Sequence, residues 1–494
     1  MLHQLIQKLT PHYINLKNGT VFLLLFGVSF FVRFPFFFRD YIDRDESTFI
    51  LLGQSLVDGY LPYTELWDVK PPLIFLFFAG IIAVFGKSFI AIRLAGSLIV
   101  ASTGFFSYKI SETITSKKVS LWIGIACVGL QSMIGSLQGV MSEHICMFFL
   151  MPALYILIKY HKVQHYLFAG ILMGIAVMVK LNMAYTVLFL GLYLFFYELR
   201  KKELGKAFAN ASVYGIGIIV IIALTLLPYY LQGETELWWK SVIEAPLQYA
   251  NARRKAPLKL LYPFLMIATF FFIAWKTKLL NYKNRTIQFI LVAILGVLYS
   301  FYKGGKINGH YLIQLHPLLL ILVGIVIPKI AFLKRFNYKP FVFFILLLLP
   351  AEAYLEYYRI VKNKITNGSF FNGEGIDAAN YIIHNNLETK NILFTEYHIG
   401  YWILSEPPPT KAATHPSNIY KSEMFFAYDN PRKTSLEELE YILEKLQPKT
   451  IVRKKNRSLY YVKNIKENNY LNTYIENHYK TLTTINNVEI FQRL

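Results

Sequence analysis

Long apolar segments separated by short polar stretches make up most of this chain before residue 361. Segments of this kind are typical of membrane-spanning helices, because about 20 apolar residues are needed to cross a hydrocarbon core of about 30 Å. The pattern predicts a polytopic α-helical membrane protein with about eleven transmembrane helices. The predicted spans are 19–38, 89–110, 119–137, 144–160, 166–180, 182–199, 208–231, 259–276, 286–302, 311–328 and 340–358.

One further apolar run, from Leu73 to Phe85, is too short to cross a membrane comfortably. When this run is left out of the count and the N-terminus is placed inside, the main basic loops all fall on the inner side, as the positive-inside rule favours. We therefore expect 71–85 to lie along the membrane surface or to dip into it. The first outer loop is then 39–88, with juxtamembrane helices in it.

The pattern changes near residue 361, where long apolar segments give way to short alternating ones. This predicts a membrane-embedded module over 1–360 and a small soluble C-terminal α/β domain over 361–494 on the extracytoplasmic side. Strands are predicted at 391–395, 450–453 and 488–493. A capping box from Ser435 to Glu438 predicts a helix that runs to Leu446. Handling of an acceptor and simple shielding of an active site are both open as roles for this domain.

Composition and charge narrow the class of protein. The chain has 494 residues, of which 55% are hydrophobic, and a formal net charge of +21. With a mean hydropathy of +0.38, it is unlike a soluble enzyme. The lysines and arginines lie in short clusters between apolar runs, where they set membrane orientation, so nucleic acid is not an expected partner. The expected location is the cell inner or plasma membrane.

Three carboxylates stand at predicted membrane boundaries on the outer side. Asp45 and Glu46 open a short amphipathic run, and Glu143 starts an apolar span. An ionisable group is costly at such a position and needs a reason. One of Asp45 and Glu46 could cap a helix while the other faces water, and Glu143 could be a helix-start carboxylate favoured by the dipole. Two acidic positions on one face favour a shared site, with Asp45, Glu46 and Glu143 as catalytic candidates.

Several groups that can bind an anion lie on the same predicted face, against the usual distribution of positive charge. They are Lys70, Arg253, Arg254, Lys303, His310 and Tyr311. Arginine offers paired donors to a phosphate and lysine offers a point charge, so a phosphate at the membrane surface is the natural ligand. The alternatives are snorkelling into lipid headgroups and, for Lys70, a salt bridge with nearby Asp68.

The order of short motifs in the membrane region resembles that of a known superfamily. The motifs are Arg44-Asp45-Glu46, Gly59-Tyr60-Leu61-Pro62-Tyr63, Trp67-Asp68-Val69-Lys70-Pro71-Pro72-Leu73, Phe85-Gly86-Lys87-Ser88, Ala91-Ile92-Arg93-Leu94, Ser142-Glu143, Ala169-Gly170 through Val179-Lys180, and His310-Tyr311-Leu312. The chain resembles membrane glycosyltransferases with the C-type fold. Within these it is similar to the family 39-like branch, which contains protein O-mannosyltransferases and lipid A aminoarabinose transferases.

This resemblance implies an inverting transfer of a sugar from a polyprenyl-phosphate donor on the outer side of the membrane. It implies that Asp45 is the general base, that Lys70 contacts the lipid phosphate and that Glu143 helps to form the cavity. The aminoarabinose enzymes carry an arginine and an aromatic residue where Thr48 and Phe49 stand here. Arg253, Arg254 or Lys303 could replace that arginine.

The resembled enzymes also carry an acidic metal ligand where Val69 stands in this chain. The sequence therefore does not support a divalent metal, although one is possible. No other cofactor is indicated.

The chemistry of such a transfer requires one base rather than a pair of acid and base. A glycosidase needs a carboxylic acid to protonate its leaving group, whereas a prenyl phosphate leaves without a proton. Asp45 with Lys70 would supply a base and positive charge. We therefore predict a membrane glycosyltransferase whose partners are a polyprenyl-phosphate sugar, an acceptor lipid, glycan or protein, and membrane lipids. A transporter or lipid flippase, and a ligase or polymerase of lipid-linked glycans, are the alternatives.

Overall fold

The computed structural model describes residues 16–252, 257–305, 307–330, 350–457, 459 and 464–494, with the backbone alone for 257–263. The predicted phosphate-binding residues Arg253 and Arg254 lie outside the described residues. So does most of the predicted span 340–358.

Among the described residues up to 367, helices dominate. They are α1 (Asn18–Arg33), α2 (Arg44–Val57), α3 (Pro72–Phe85), α4 (Phe89–Glu112), α5 (Lys117–Leu130), α6 (Ser142–Lys159), α7 (Val163–Val179), α8 (Met183–Arg200), α9 (Leu204–Gln232), α10 (Thr235–Trp239), α11 (Ala245–Ala252), α12 (Pro257–Lys276), α13 (Arg285–Gly304), α14 (His316–Val326) and α15 (Ala351–Asn367). Each predicted span up to 311–328 contains one of these helices.

Among the described residues, 6 helices are long and apolar enough to cross a membrane. They are Asn18–Phe38, Phe89–Glu112, Ser142–Lys159, Met183–Arg200, Leu204–Gln232 and Arg285–Gly304. Shorter apolar helices occur at Pro72–Phe85, Val163–Val179, Phe264–Lys276 and His316–Lys329. A largely helical membrane protein is thus confirmed, while the count of eleven spans stays a prediction. The short run expected before residue 86 is indeed one helix, α3, of 14 residues.

After α15 the elements become short. They are α16 (Glu374–His384), β1 (Leu393–Phe394), α17 (Ile399–Leu404), α18 (Ser435–Glu440), β2 (Thr450–Lys454), α19 (Ile465–His478), β3 (Tyr479–Ile485) and β4 (Val488–Arg493). The strands form one sheet in the order β1-β2-β4-β3. β1 and β2 are parallel, and the other neighbours are antiparallel. The three predicted strands are present; β3, which was not predicted, pairs with β4 across a tight turn at Asn486.

The predicted capping box is wrong by one residue. The hydroxyl of Thr434, not that of Ser435, accepts the hydrogen bond from the backbone N–H of Glu437 and so caps α18. Thr434 has the extended backbone that a capping residue needs, whereas Ser435 is already helical. The helix then continues as a π-helix from Tyr441 to Leu446, so its end falls where it was predicted.

The chain forms two compact units, each built from several segments. The first consists of Met1–Phe34, Arg93–Ile222 and Arg254–Leu355. The second consists of Pro35–Ile92, Ala223–Arg253 and Glu356–Leu494, so the predicted first outer loop and the C-terminal region belong to one unit. The division at residue 360 predicted from the sequence stays a prediction.

Helices of the first unit approach each other closely at small residues, as is common in membranes. A Cβ added at Gly170 of α7 would lie 2.1 Å from the carbonyl oxygen of Tyr214 in α9. One added at Gly217 of α9 would lie 2.5 Å from the carbonyl oxygen of Leu167. Only glycine fits at this crossing, because the obstructing atoms belong to the backbone.

In the second unit, α2 and α3 pack against each other and so position Asp45 and Lys70. The centre of the Phe49 ring lies 6.3 Å from that of Phe75 and 5.8 Å from that of Phe78. A Cβ added at Gly53 would lie 2.7 Å from the Cβ of Phe78 and 3.0 Å from the backbone nitrogen of Ala79. The two helix axes can approach this closely only because residue 53 has no side chain.

Hydrogen bonds join the start of the predicted first outer loop to the start of the C-terminal region. The backbone N–H of Asp40 donates to the carbonyl of Asn372, and the N–H of Asn372 donates to the carbonyl of Phe38. The carboxyl group of Asp40 accepts from the N–H of Ile376, in the first turn of α16. Burial raises the pKa of Asp40 to about 7. This side chain therefore caps a helix that lies far away in the sequence.

We expect Gly53→Ala to destabilise the α2–α3 pair by ~1–3 kcal/mol, because the added methyl group meets a Cβ and a backbone atom that cannot rotate away. Gly80→Ala in α3 is the matched control, since nothing lies within 4 Å of the added Cβ there. Thermal unfolding of both variants in detergent would test this. Equal unfolding temperatures for the two would contradict the packing described above.

Candidate active site

Asp45 lies in the first turn of α2, where the helix dipole favours a carboxylate. The helix is capped by Asp43, whose carboxylate accepts a hydrogen bond of 2.8 Å from the N–H of Asp45. Neither Asp45 nor Glu46 is therefore the cap. This rules out the explanation in which one of these two carboxylates caps the helix while the other faces water. Glu46 is buried, with 1% of its surface exposed, whereas the side chain of Asp45 is 25% exposed.

Lys70 comes directly before Pro71 and Pro72, and α3 begins at Pro72. Its ammonium group lies 3.5 Å from Oδ2 of Asp45 and 3.4 Å from Oδ2 of Asp68. The same group lies 5.4 Å from the centre of the Phe49 ring. Lys70 is thus both a partner of Asp68 and a neighbour of Asp45, so the two roles considered from the sequence do not exclude each other.

A histidine from the C-terminal region also lies beside Asp45. Nε2 of His415 lies 3.4 Å from Oδ1 of Asp45, whereas Lys70 lies 3.5 Å from Oδ2. The side chain of His415 is 8% exposed. Sequence reasoning missed this residue, because no motif or spacing connects a loop histidine with a carboxylate so far upstream.

Trp67 holds the loop before Lys70 against the C-terminal region. Its backbone N–H donates to the hydroxyl of Thr414, and its indole N–H donates to the hydroxyl of Ser241. The hydroxyl of Ser241 in turn donates to the carbonyl of Ala427, and the Trp67 ring lies 4.8 Å from that of Tyr428. Trp67 is fully buried, so these contacts fix the residue next to His415 relative to the loop that carries Lys70.

Tyr41 and Arg44, which precede Asp45, also contact the C-terminal region. Arg44 donates two hydrogen bonds to the carboxylate of Glu396, which also accepts one from the hydroxyl of Tyr41. Burial acts to raise the pKa of Glu396, but the bonds and the charge of Arg44 more than offset this and lower it. The ion pair stays charged and anchors the first turn of α2.

Thr48 stands where the resembled enzymes carry an arginine, and here it pairs with His398. The threonine hydroxyl donates to the carbonyl of Arg44 and lies 2.9 Å from Nε2 of His398, so the imidazole is the donor of that second bond. Burial holds the pKa of His398 well below its usual value, which keeps the ring neutral. A neutral hydrogen-bonded pair therefore fills the place of a cation.

The first unit contains a second cluster of predicted residues. Glu143 in the first turn of α6 is fully buried, and its Oε1 lies 2.6 Å from the ammonium group of Lys180 and 3.7 Å from Nε2 of His310. Lys180 also lies 4.7 Å from the centre of the Tyr311 ring. Three predicted residues thus lie together around Lys180. Lys180 ends one of the sequence motifs, but the sequence alone does not identify it as a site residue.

Lys303 also belongs to the first unit. It is exposed in the last turn of α13, 5.9 Å from the centre of the Tyr299 ring. A cation at that end of a helix is favoured by the dipole, which is sufficient to explain its position.

The described residues offer no ligand set for a metal ion: no group of three or more His, Cys, Asp and Glu side chains among them could hold one. The described groups near Asp45 and Lys70 include Asp68 and His415, and the ammonium group of Lys70 opposes a cation.

Comparisons with known proteins concern the family and the fold. Residues 69–227 match the family described as dolichyl-phosphate-mannose-protein mannosyltransferase. The crystal structure of ArnT from Cupriavidus metallidurans bound to undecaprenyl phosphate is similar over 97% of this chain and 97% of that chain, with a TM-score of 0.59 and 14% identity. Its apo form gives a TM-score of 0.59 and 12% identity, over 97% of this chain and 99% of that one. A sequence search of curated proteins finds no match.

A further solved structure is less similar. It is the oligosaccharyltransferase AglB from Archaeoglobus fulgidus in complex with an inhibitory peptide and a dolichol-phosphate. The match covers 88% of this chain and 69% of that one, at 12% identity and a TM-score of 0.45.

The family match and the shared fold confirm the resemblance drawn from the sequence. The family match covers residues 69–227, and the chain shares the fold of the ArnT structures over 97% of its length.

We expect Lys180→Met to destabilise the protein by about 3 kcal/mol, because it leaves the buried carboxylate of Glu143 without its nearest cation. The double variant Lys180→Met/Glu143→Gln should recover most of this loss, since the unpaired charge is then removed. Lys206→Met is the matched control, because its pair with Glu203 is exposed and contributes little. Thermal unfolding in detergent measures all three. A single variant as stable as wild type would show that Glu143 does not need the pair.

Proposed function

We propose that this protein transfers a sugar from a polyprenyl-phosphate donor to a hydroxyl group of a lipid, glycan or protein, with inversion at the anomeric carbon. The reaction would take place on the extracytoplasmic side of the cell inner or plasma membrane. The observation that carries this proposal is the pair formed by Asp45 and Lys70, a carboxylate and an ammonium group 3.5 Å apart at the ends of two packed helices.

In the proposed reaction the acceptor oxygen attacks the anomeric carbon as the bond from that carbon to the phosphate oxygen breaks. Asp45 accepts the proton of the acceptor hydroxyl, and the electron pair of the broken bond remains on the departing polyprenyl phosphate. A phosphate ester is a good leaving group and needs no proton. The site therefore requires one base and a nearby positive charge, which Asp45 and Lys70 supply.

Fixed charges act strongly at such a site because the surroundings are partly shielded from water. Lys70 is only 18% exposed and Asp68 is 4% exposed. Asp68 would hold Lys70 in place while its charge stabilises the phosphate. The bound undecaprenyl phosphate of the similar ArnT structure supports a lipid phosphate as the ligand of this fold.

The other predicted residues keep the roles proposed for them. Glu46, buried beside Asp45, remains a catalytic candidate, as does Glu143, which would also help to form the cavity. His310 and Tyr311 would add phosphate contacts together with Lys180, near which they lie. Arg253, Arg254 and Lys303 remain further candidates for the phosphate.

We expect Asp45→Asn to lower kcat by about 10²–10⁴-fold, because the amide cannot accept the acceptor proton. The measurement is transfer of radiolabelled sugar from a panel of synthetic polyprenyl-phosphate sugars, with purified protein and a native lipid extract. Asp58→Asn is the matched control, since Asp58 is an exposed carboxylate at the other end of α2. Wild-type levels of transfer by Asp45→Asn would exclude Asp45 as the base. No transfer by wild type from any donor would favour a transporter.

We expect Lys70→Met to raise the KM for the donor by about 10-fold or more, because a contact with a charged phosphate contributes ~1.5–3 kcal/mol. Lys70→Arg should lose less, since it keeps the charge. Lys445→Met, at an exposed lysine of the C-terminal region, controls for the loss of one positive charge. An unchanged donor KM in Lys70→Met would leave Lys70 only its structural role beside Asp68.

A further inference from the structure

His415 lies on a short segment made of two 3₁₀ turns, Lys411–Thr414 and Pro416–Asn418. It is the residue between them, with an extended backbone, and Pro416 restricts it further. The contact of Thr414 with Trp67 fixes the same segment against the loop before Lys70. His415 is thus held from both sides, in one unit with Asp45.

The hydrogen bonds of His415 define which of its nitrogens carries the proton. The backbone N–H of Ser417 donates to Nδ1 at 3.1 Å, and the Ser417 hydroxyl lies 2.8 Å from the same atom. A backbone N–H can only donate, so Nδ1 must be an unprotonated acceptor. In the neutral ring the proton is then on Nε2, the nitrogen that lies 3.4 Å from Asp45.

The charge state of the ring agrees with this assignment. Burial lowers the pKa of His415, and the charge of Lys421 acts in the same direction, while Asp45 and Asp68 act against it. A neutral imidazole with its proton on Nε2 presents a donor to Asp45 without adding a positive charge. Such a donor orients a carboxylate and weakens it less as a base than a cation would.

Lys70 is not suited to orient the carboxylate of Asp45 once a donor is bound. It is shared between Asp45 and Asp68 in the structure, and its proposed ligand is the phosphate. If Lys70 turns towards that phosphate, its ammonium group moves away from Oδ2 of Asp45. Oδ1 still faces His415, so the carboxylate keeps its orientation. Contacts of 3.4–3.5 Å are long for hydrogen bonds, as is common before substrate binds.

We propose that His415 is a positioning residue of this transferase, which holds Oδ1 of Asp45 through its Nε2–H so that Oδ2 faces the acceptor hydroxyl. This inference rests on the proposed function. It gives the C-terminal region a direct part in the reaction, in addition to the two roles considered from the sequence.

Two substitutions of His415 by amide residues distinguish this positioning role from a purely structural role. In His415→Asn the amide reaches only as far as Nδ1, so it keeps an acceptor for the Ser417 N–H but loses the contact with Asp45. In His415→Gln the amide N–H reaches about as far as Nε2, so it keeps a donor for Asp45. If His415 only caps the 3₁₀ turn, Asn should be tolerated and Gln should not. If His415 positions Asp45, Gln should be tolerated and Asn should not.

We expect His415→Asn to lower kcat by about 10²-fold, with an unchanged donor KM and an unchanged unfolding temperature, because a small displacement of a reacting group has this effect. His415→Gln should stay within about 10-fold of wild type. His384→Asn is the matched control, since that exposed histidine contacts only the carbonyl of its own helix among the described residues. Full activity in His415→Asn, or a loss of folding in that variant with activity lost in proportion, would overturn the proposal.

A measurement that needs no activity tests the contact itself. The chain has 11 histidines, and the signals absent in His415→Asn identify those of His415 in a ¹⁵N-histidine NMR spectrum. We expect Nε2 to be protonated and its resonance to shift in Asp45→Asn. Protonation on Nδ1, or no shift in Asp45→Asn, would overturn the proposal even if transfer is observed. If wild type transfers no sugar while the shift is observed, the contact stands and the proposed function fails instead.

Discussion

The proposed role of Asp45 as a base depends on its neighbours, because a cation beside a carboxylate lowers its affinity for a proton. Asp45 has two different neighbours, the ammonium group of Lys70 near Oδ2 and the imidazole of His415 near Oδ1. The rest of the second unit can be understood from this requirement. Asp43 caps α2 in place of Asp45, Asp68 holds the ammonium group, and Trp67 fixes the segment that carries the imidazole.

The same physical rule appears at the other buried charges. Arg44 and Glu396 form a hydrogen-bonded pair next to Asp45, and Lys180 and Glu143 form one in the first unit. Charges removed from water remain ionised only when a partner and further hydrogen bonds replace the lost hydration. Each pair joins segments that lie far apart in the sequence. These contacts therefore hold the chain in the one arrangement that satisfies them, beyond any contribution to stability.

Local patterns predicted much of the architecture. The apolar spans, the short helix before residue 86 and three of the strands follow from hydropathy and periodicity, which depend only on neighbouring residues. The start of α3 at Pro72, two residues after Lys70, likewise follows from the preference for proline at the start of a helix. The cap of α18 was missed by one residue, because Thr434 and Ser435 are equally suitable and only the backbone conformation distinguishes them.

The sequence by itself determined that this is a membrane protein with an Asp-Glu pair, a lysine before two prolines and a polar C-terminal region. Only the tertiary structure decided that Asp43 is the helix cap, that Lys180 is the partner of Glu143 and that His415 faces Asp45. The physical reason is that side-chain pairing depends on distances between segments remote in the chain. A pattern of adjacent residues carries no information about those distances, so a single histidine in a loop gave no signal until the fold placed it beside a carboxylate.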